Sequence, residues 1–162
     1  MVSYGTAHRY TMDPFLIWLE ATGLSTWVRD SPSVFAFPAI LSLHTVGMGL
    51  VAGLNAAIAL RILGVAPQVP FTEMRRFFPV MWFGFWLNAV SGVLLLIAYP
   101  TKALTNPVFY LKLLLIALAV TSAVKAMPKA SKLWASMSLA GWTGAIAAGR
   151  LLAYTYTRLM AI

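Results

Sequence analysis

The chain has no cysteine. Disulfides, thiolate metal sites and thiol catalysis are therefore excluded. Acid is nearly absent too: four Asp and Glu stand against twelve Lys and Arg in 162 residues. No acid falls inside a long apolar run, so no span carries a carboxylate for general-base work, and no nucleophile–base pair is evident. Hydrolytic and transferase chemistry are the least supported classes. Histidine is limited to His8 and His44, which leaves little for a His-based metal cluster. Also missing are the charged stripes that helices of a soluble bundle would carry.

What remains is apolar. Hydrophobic residues make up 60% of the chain, with a mean hydropathy of +0.81. They gather in four runs, Val34–Leu63, Phe77–Tyr99, Val108–Ala126 and Leu133–Tyr156. At about 1.5 Å per helical residue, each can cross a hydrocarbon core of about 30 Å. The expectation is an all-α integral membrane protein, one membrane domain over 1–162, folded as a four-transmembrane-helix up-down bundle. The connections contain Pro67, Pro70, Pro100, Pro107 and Pro128, and their shortness forces neighbouring helices to alternate in direction. Asn106-Pro107 predicts a capped start for the third span.

The first residues, MVSYGTAHRYTMDP, lack the basic-then-apolar order of a cleavable signal. Residues 14–28 are too short and too polar to span. They predict an interfacial amphipathic helix, with Asp13 as N-cap, Trp18 and Trp27 at headgroup level, and a break near Gly23.

The +8 net charge points to anionic lipid headgroups rather than nucleic acid, because the basic residues cluster at span ends. Arg61, Arg75, Arg76, Lys125, Lys129 and Lys132 fall on one side. Arg9, Arg29, Lys102 and Arg158 fall on the other, together with Asp13, Glu20 and Asp30. The positive-inside rule puts the first group in the cytoplasm. The expected setting is a multi-pass protein of a bacterial inner membrane with both termini periplasmic.

Polar residues within the spans are the functional candidates, since polarity there is costly. His44 lies about 15 Å into the first span, near the midplane, on a face with Phe37, Ile40, Met48, Val51 and Asn55. Gly49 and Gly53 occupy the opposite face as a small-residue seam for packing within or between chains. Asn88 shares a face with Gly84 and Ser91. Lys112 sits soon after the Asn106 cap, where the helix dipole disfavours a cation. Ser136, Thr143, Arg150 and Tyr154 form a stripe on the last span, beside a small-residue stripe of Gly141, Ala145 and Gly149. In this reading His44, Met48, Asn88, Lys112, Arg150 and Tyr154 border one cationic pocket in the outer half of the bilayer. The pocket must import its negative charge from lipid phosphate, from Asp13, Glu20 or Asp30, from another chain, or from an anionic cofactor. The plainer alternatives are that Lys112 and Arg150 snorkel to headgroups, and that His44 only hydrogen-bonds a neighbouring helix.

Several segments carry a resemblance: Phe37-Pro38, Leu43-His44-Thr45-Val46-Gly47, Leu60-Arg61-Ile62-Leu63-Gly64, Asn106-Pro107-Val108-Phe109 with Lys112, and Ala148-Gly149-Arg150-Leu151-Leu152-Ala153-Tyr154. Together the chain resembles a family of small four-helix bacterial membrane proteins of unknown function, from about Trp18 to Tyr156. Where that pattern often has acids, this chain has Leu41 and Ala59. A looser likeness, at His44 and Gly47 to Gly53, is to haem-bearing membrane subunits of the cytochrome b type and to membrane copper-resistance proteins.

Three functions follow as expectations. The first is haem b binding with an electron-transfer role: His44 as iron ligand, Met48 tuning or ligating, Lys112 and Arg150 facing the propionates. The second is a non-catalytic homo-oligomeric subunit, or one of a larger membrane complex, assembled through small-residue seams with bound phospholipid. The third is a quinone, anion or small-solute site at the same residues.

Overall fold

The computed structural model describes residues 14–159, with side chains as far as Thr155. His8, Arg9, Asp13 and the side chain of Arg158 lie outside the described residues. Among those described, every regular element is a helix: α1 (Pro14–Glu20), α2 (Gly23–Asp30), α3 (Phe37–Leu63), α4 (Phe71–Arg75), α5 (Phe78–Ala98), α6 (Pro100–Leu104), α7 (Pro107–Lys129) and α8 (Lys132–Leu159). Three are long and apolar enough to cross a membrane: Phe37–Leu63, Phe71–Ala98 (α4 with α5) and Pro107–Lys129. The fourth expected span, α8, has the length at 28 residues but is not one of these three. Lys132, the serines and threonines along it, and Arg150 dilute its apolar content.

The boundaries follow local chemistry. Pro38 opens α3, so the turn at Val34–Ala36 stays outside the helix. Gly64 closes it at φ 105°, with Val65 N–H donating back to Leu60 O at 2.9 Å. Asn106 caps α7 by accepting from Val108 N–H at 3.0 Å. That helix runs three residues past its expected end at Ala126, with Pro128 inside its last turn. The expected interfacial helix is two helices. Its break falls at Ala21-Thr22, because Thr22 caps α2 by accepting from Ser25 N–H and Gly23 begins the new helix.

Two antiparallel pairs make the bundle. In the first, Gly47 of α3 meets Gly84 and Asn88 of α5. A Cβ built on Gly47 would lie 2.7 Å from Asn88 N, and one on Gly84 would lie 2.6 Å from Leu50 Cβ. In the second, Gly141 of α8 meets Ala119 of α7, where a Cβ would come within 2.9 Å. Helices α3 and α8 join the pairs, with Ser138 and Asn55 in contact at 3.0 Å. Val51, Ile58, Met81, Ala119, Ala126 and Trp142 centre the apolar core.

The expected seam at Gly49 and Gly53 plays no part in packing among the described residues. Both glycines are exposed, and a Cβ at either would meet nothing within 4 Å. Position 47, two residues earlier, lies about 200° away around the helix, and that face meets α5.

Candidate functional site

Where α3 and α7 begin and α5 and α8 end, the helices diverge around a cavity of about 530 Å³. Helix α3 contributes Phe37, Leu41 and His44; α5 contributes Gly92, Leu95 and Leu96. Tyr99, Lys102 and Ala103 come from the α5–α6 junction. Phe109 and Lys112 of α7 face Gly149, Leu152 and Ala153 of α8. Among the described residues the wall is mostly apolar, with one imidazole, one phenol and two ammonium groups, and no acid.

The imidazole is anchored from behind. His44 Nδ1 lies 3.0 Å from the backbone carbonyl of Asn88 and 3.2 Å from Ser91 Oγ. The Asn88 side-chain Nδ2 also lies 3.3 Å from Nδ1, but the carbonyl at 3.0 Å is nearer and only accepts, so the geometry favours an Nδ1 that carries the proton and donates. The neutral ring then keeps its lone pair on Nε2. The Asn88 side chain donates to His44 O at 2.7 Å, bolting the two helices together at this level. Asn88 and Ser91 are both buried, so the support is rigid. Gly92 completes the seat, because a side chain there would press on the ring.

Lys112 lies on the face of α7 that carries Ala119, Ala123 and Ala126 at helical spacing, all buried. Its chain passes Gly149, where a Cβ would sit 3.7 Å from Cε and Nζ. Among the described residues it makes no ion pair and no hydrogen bond. Of the acids proposed to serve it, Asp13 lies outside the described residues, and the other two are engaged elsewhere. Asp30 binds Arg29 at 3.0 and 3.1 Å, and Glu20 accepts from Thr101 N–H at 3.3 Å. The bond to Asp30 pushes the Arg29 guanidinium above its ordinary pKa. Lys102 lies 5.7 Å from the centre of the Tyr99 ring.

The structure therefore brings together His44 and Lys112, with Asn88 behind the imidazole. It separates them from the rest of the expected set. Met48, half-buried on α3, is not among the lining residues. Arg150 and Tyr154 are exposed on α8, with Ser136 and Thr143. The reason is phase: Arg150 lies nine residues from Gly141, about half a turn out of register with the face that meets α7. The stripe hydroxyls are satisfied within the helix, Ser136 donating to Lys132 O at 3.0 Å and Thr143 to Leu139 O at 2.9 Å.

No protein-family model, curated protein or solved structure matches this chain.

Sequence reasoning missed Tyr99, Lys102 and Gly92. Tyr99 and Lys102 read as a span end and a connection, yet Pro100 starts α6 and turns both toward the cavity. The detectable signal was the Tyr99-Pro100 pair, a helix stop and restart beside a lysine.

The α1–α2 hairpin is fastened to the same end. Ser25 Oγ and Arg29 Nη1 both donate to Ala98 O at 3.4 Å. That carbonyl belongs to the last residue of α5, one of the end carbonyls without an intrahelical donor, so α2 caps it with a guanidinium. Phe15, Trp18, Leu24 and Trp27 face outward from the hairpin.

Proposed function

We propose that this is a four-span membrane protein whose cavity binds haem b through His44, with an electron-transfer role. The observation that carries this reading is the His44 ring held by Asn88 and Ser91 at Nδ1 and lining an apolar cavity; with Nδ1 as the donor, Nε2 keeps its lone pair for a ligand. Metal-ligating histidines characteristically donate their other nitrogen in this way. The volume falls within the roughly 300–1,000 Å³ of small-molecule and cofactor sites.

The residues present fit the group. His44 Nε2 would ligate the iron. Lys112 and Lys102 would face the propionates. Phe37, Leu41, Leu95 and Phe109 would exclude water. Haem supplies one-electron chemistry when bound. Among the described residues, no second histidine and no methionine lines the cavity.

In the same reading α8 is the fourth span. At about 1.5 Å per residue its 28 residues reach beyond the hydrocarbon thickness. Its outward hydroxyls are bonded internally, and Arg150, near the outer end, extends to the headgroups. Arg61, Arg75, Arg76, Lys125, Lys129 and Lys132, at or near the facing ends of α3, α4, α7 and α8, favour the cytoplasm for that side by the positive-inside rule, with both termini periplasmic in a bacterial inner membrane. The hairpin α1–α2 lies in the outer interface with its tryptophans at headgroup level.

An optical spectrum of the full-length protein, purified after haem-replete expression, is the test. A Soret band that His44→Ala abolishes supports the reading. No Soret band in the unsubstituted protein removes it.

Two other readings each rest on one observation. The apolar wall with Lys112 and Lys102 among its lining residues favours a quinone, an anionic lipid or a small acidic solute; lipid co-purifying with haem-free protein would favour it. The open Gly49–Gly53 ridge favours a non-catalytic subunit of a homo-oligomer or larger membrane complex. Gly49→Leu would then reduce assembly size, while His44→Ala would leave it unchanged.

A further inference from the structure

We infer that Asn55 holds an internal water molecule between α3 and α8, in a second polar site separate from the large cavity. Asn55 and Ser138 are 3% and 1% exposed, deep in the apolar core. Two small voids flank the Asn55 side chain, each of about 10 Å³. One is bounded by Asn55, Ser138, Ala123 and Ala135. By the same measure a single water needs roughly 10–15 Å³.

The hydrogen bonding around Asn55 does not close without such a molecule. Asn55 Nδ2 has no partner among the described residues. Ser138 Oγ lies 3.0 Å from Asn55 Oδ1 and 2.9 Å from Ala119 O. A hydroxyl has one proton and donates to one of the two. If it serves Asn55, Nδ2 is orphaned. If it serves Ala119, the amide turns so that Nδ2 donates to Ser138 Oγ, and Oδ1 is orphaned instead. Either orientation leaves one end of the amide unpaired in the core. An apolar void of this size stays dry, but a void walled by an unpaired amide and a serine offers a water two partners. The site ties α3 to the α7–α8 pair at the level where they meet.

The test uses ¹⁵N-labelled full-length protein in lipid nanodiscs. Cross-relaxation between bulk-exchanging water and the Asn55 side-chain amide is measured by NMR. A cross-peak is expected at Asn55, and Asn55→Leu, whose side chain fills the void, should remove the water signal from the Ser138 backbone amide. No cross-peak at Asn55, or a Ser138 signal that persists in Asn55→Leu, overturns the inference. If the variant does not fold, a density map of the unsubstituted protein decides. Solvent density within hydrogen-bond reach of both Asn55 and Ser138 supports the site, and an empty void refutes it. Neither measurement depends on haem.

Discussion

Gly92 and His44 face each other across α5 and α3: a Cβ at position 92 would lie 3.1 Å from Cε1 and 3.5 Å from Nδ1 of the imidazole. The absence of a side chain at 92 thus holds space for the ring bonded to Asn88 and Ser91. Gly92→Ala should push the ring off its rotamer at a cost of about 1 kcal/mol. Ligand affinity should fall roughly fivefold. Titration of the purified apo-protein with haem, following the Soret band, measures this. An unchanged affinity would mean that the ring orientation is immaterial.

Lys112→Met should move stability and binding in opposite directions. The methionine keeps an apolar stem but removes an intramembrane cation that has no partner among the described residues. Relief of that charge should stabilise the ligand-free protein by about 2–3 kcal/mol. Affinity for any anionic occupant should fall. Denaturant unfolding in mixed micelles gives the first quantity and ligand titration the second. Weaker binding with no gain in stability would show that the ammonium is solvated in the cavity.

Position 47 should be intolerant and position 53 permissive. A Cβ at Gly47 runs into backbone atoms of α5, which cannot move aside as a side-chain tip can. Gly47→Ala should cost about 1–3 kcal/mol. At Gly53 the space is open, so alanine should gain up to about 0.5–1 kcal/mol from helix propensity. Thermal unfolding of the two variants side by side separates them. Equal losses would mean that Gly53 is covered by a second copy in the assembled protein.

Arg29→Ala should loosen the hairpin without dismantling the bundle. It removes the donors to Ala98 O, Glu20 O and Ser25 Oγ. The local cost should be about 1 kcal/mol. Faster hydrogen exchange is expected at the Thr101 amide, which Glu20 of the hairpin holds. Amides around Gly47 and Gly84 should keep their protection. Loss of protection there too would make the hairpin part of the global fold.

Much of this protein was legible in the residues alone. The helical class, the positions of the long helices and the Asn106 cap follow from apolar length and local capping, which need no knowledge of neighbours. So does the choice of His44 and Lys112 as unusual residues, because an intramembrane imidazole or ammonium is costly wherever the helix packs. Face was harder to assign. Gly49 and Gly53 make as good a small-residue motif as Gly47, and Arg150 is as cationic as Lys112.

Tertiary structure settled those pairs. A helix wheel shows which residues share a side but not which side meets a partner, and in a membrane both sides can be apolar. Once Gly47 seats against Gly84 and Gly141 against Ala119, the azimuth of each helix is set. Lys112 is then turned inward and Arg150 outward. Composition and periodicity determined the helices and their costly residues. Only the docking of one helix on another decided which of those residues share a cavity, because rotation about a helix axis is invisible to a sequence whose faces are nearly equally apolar.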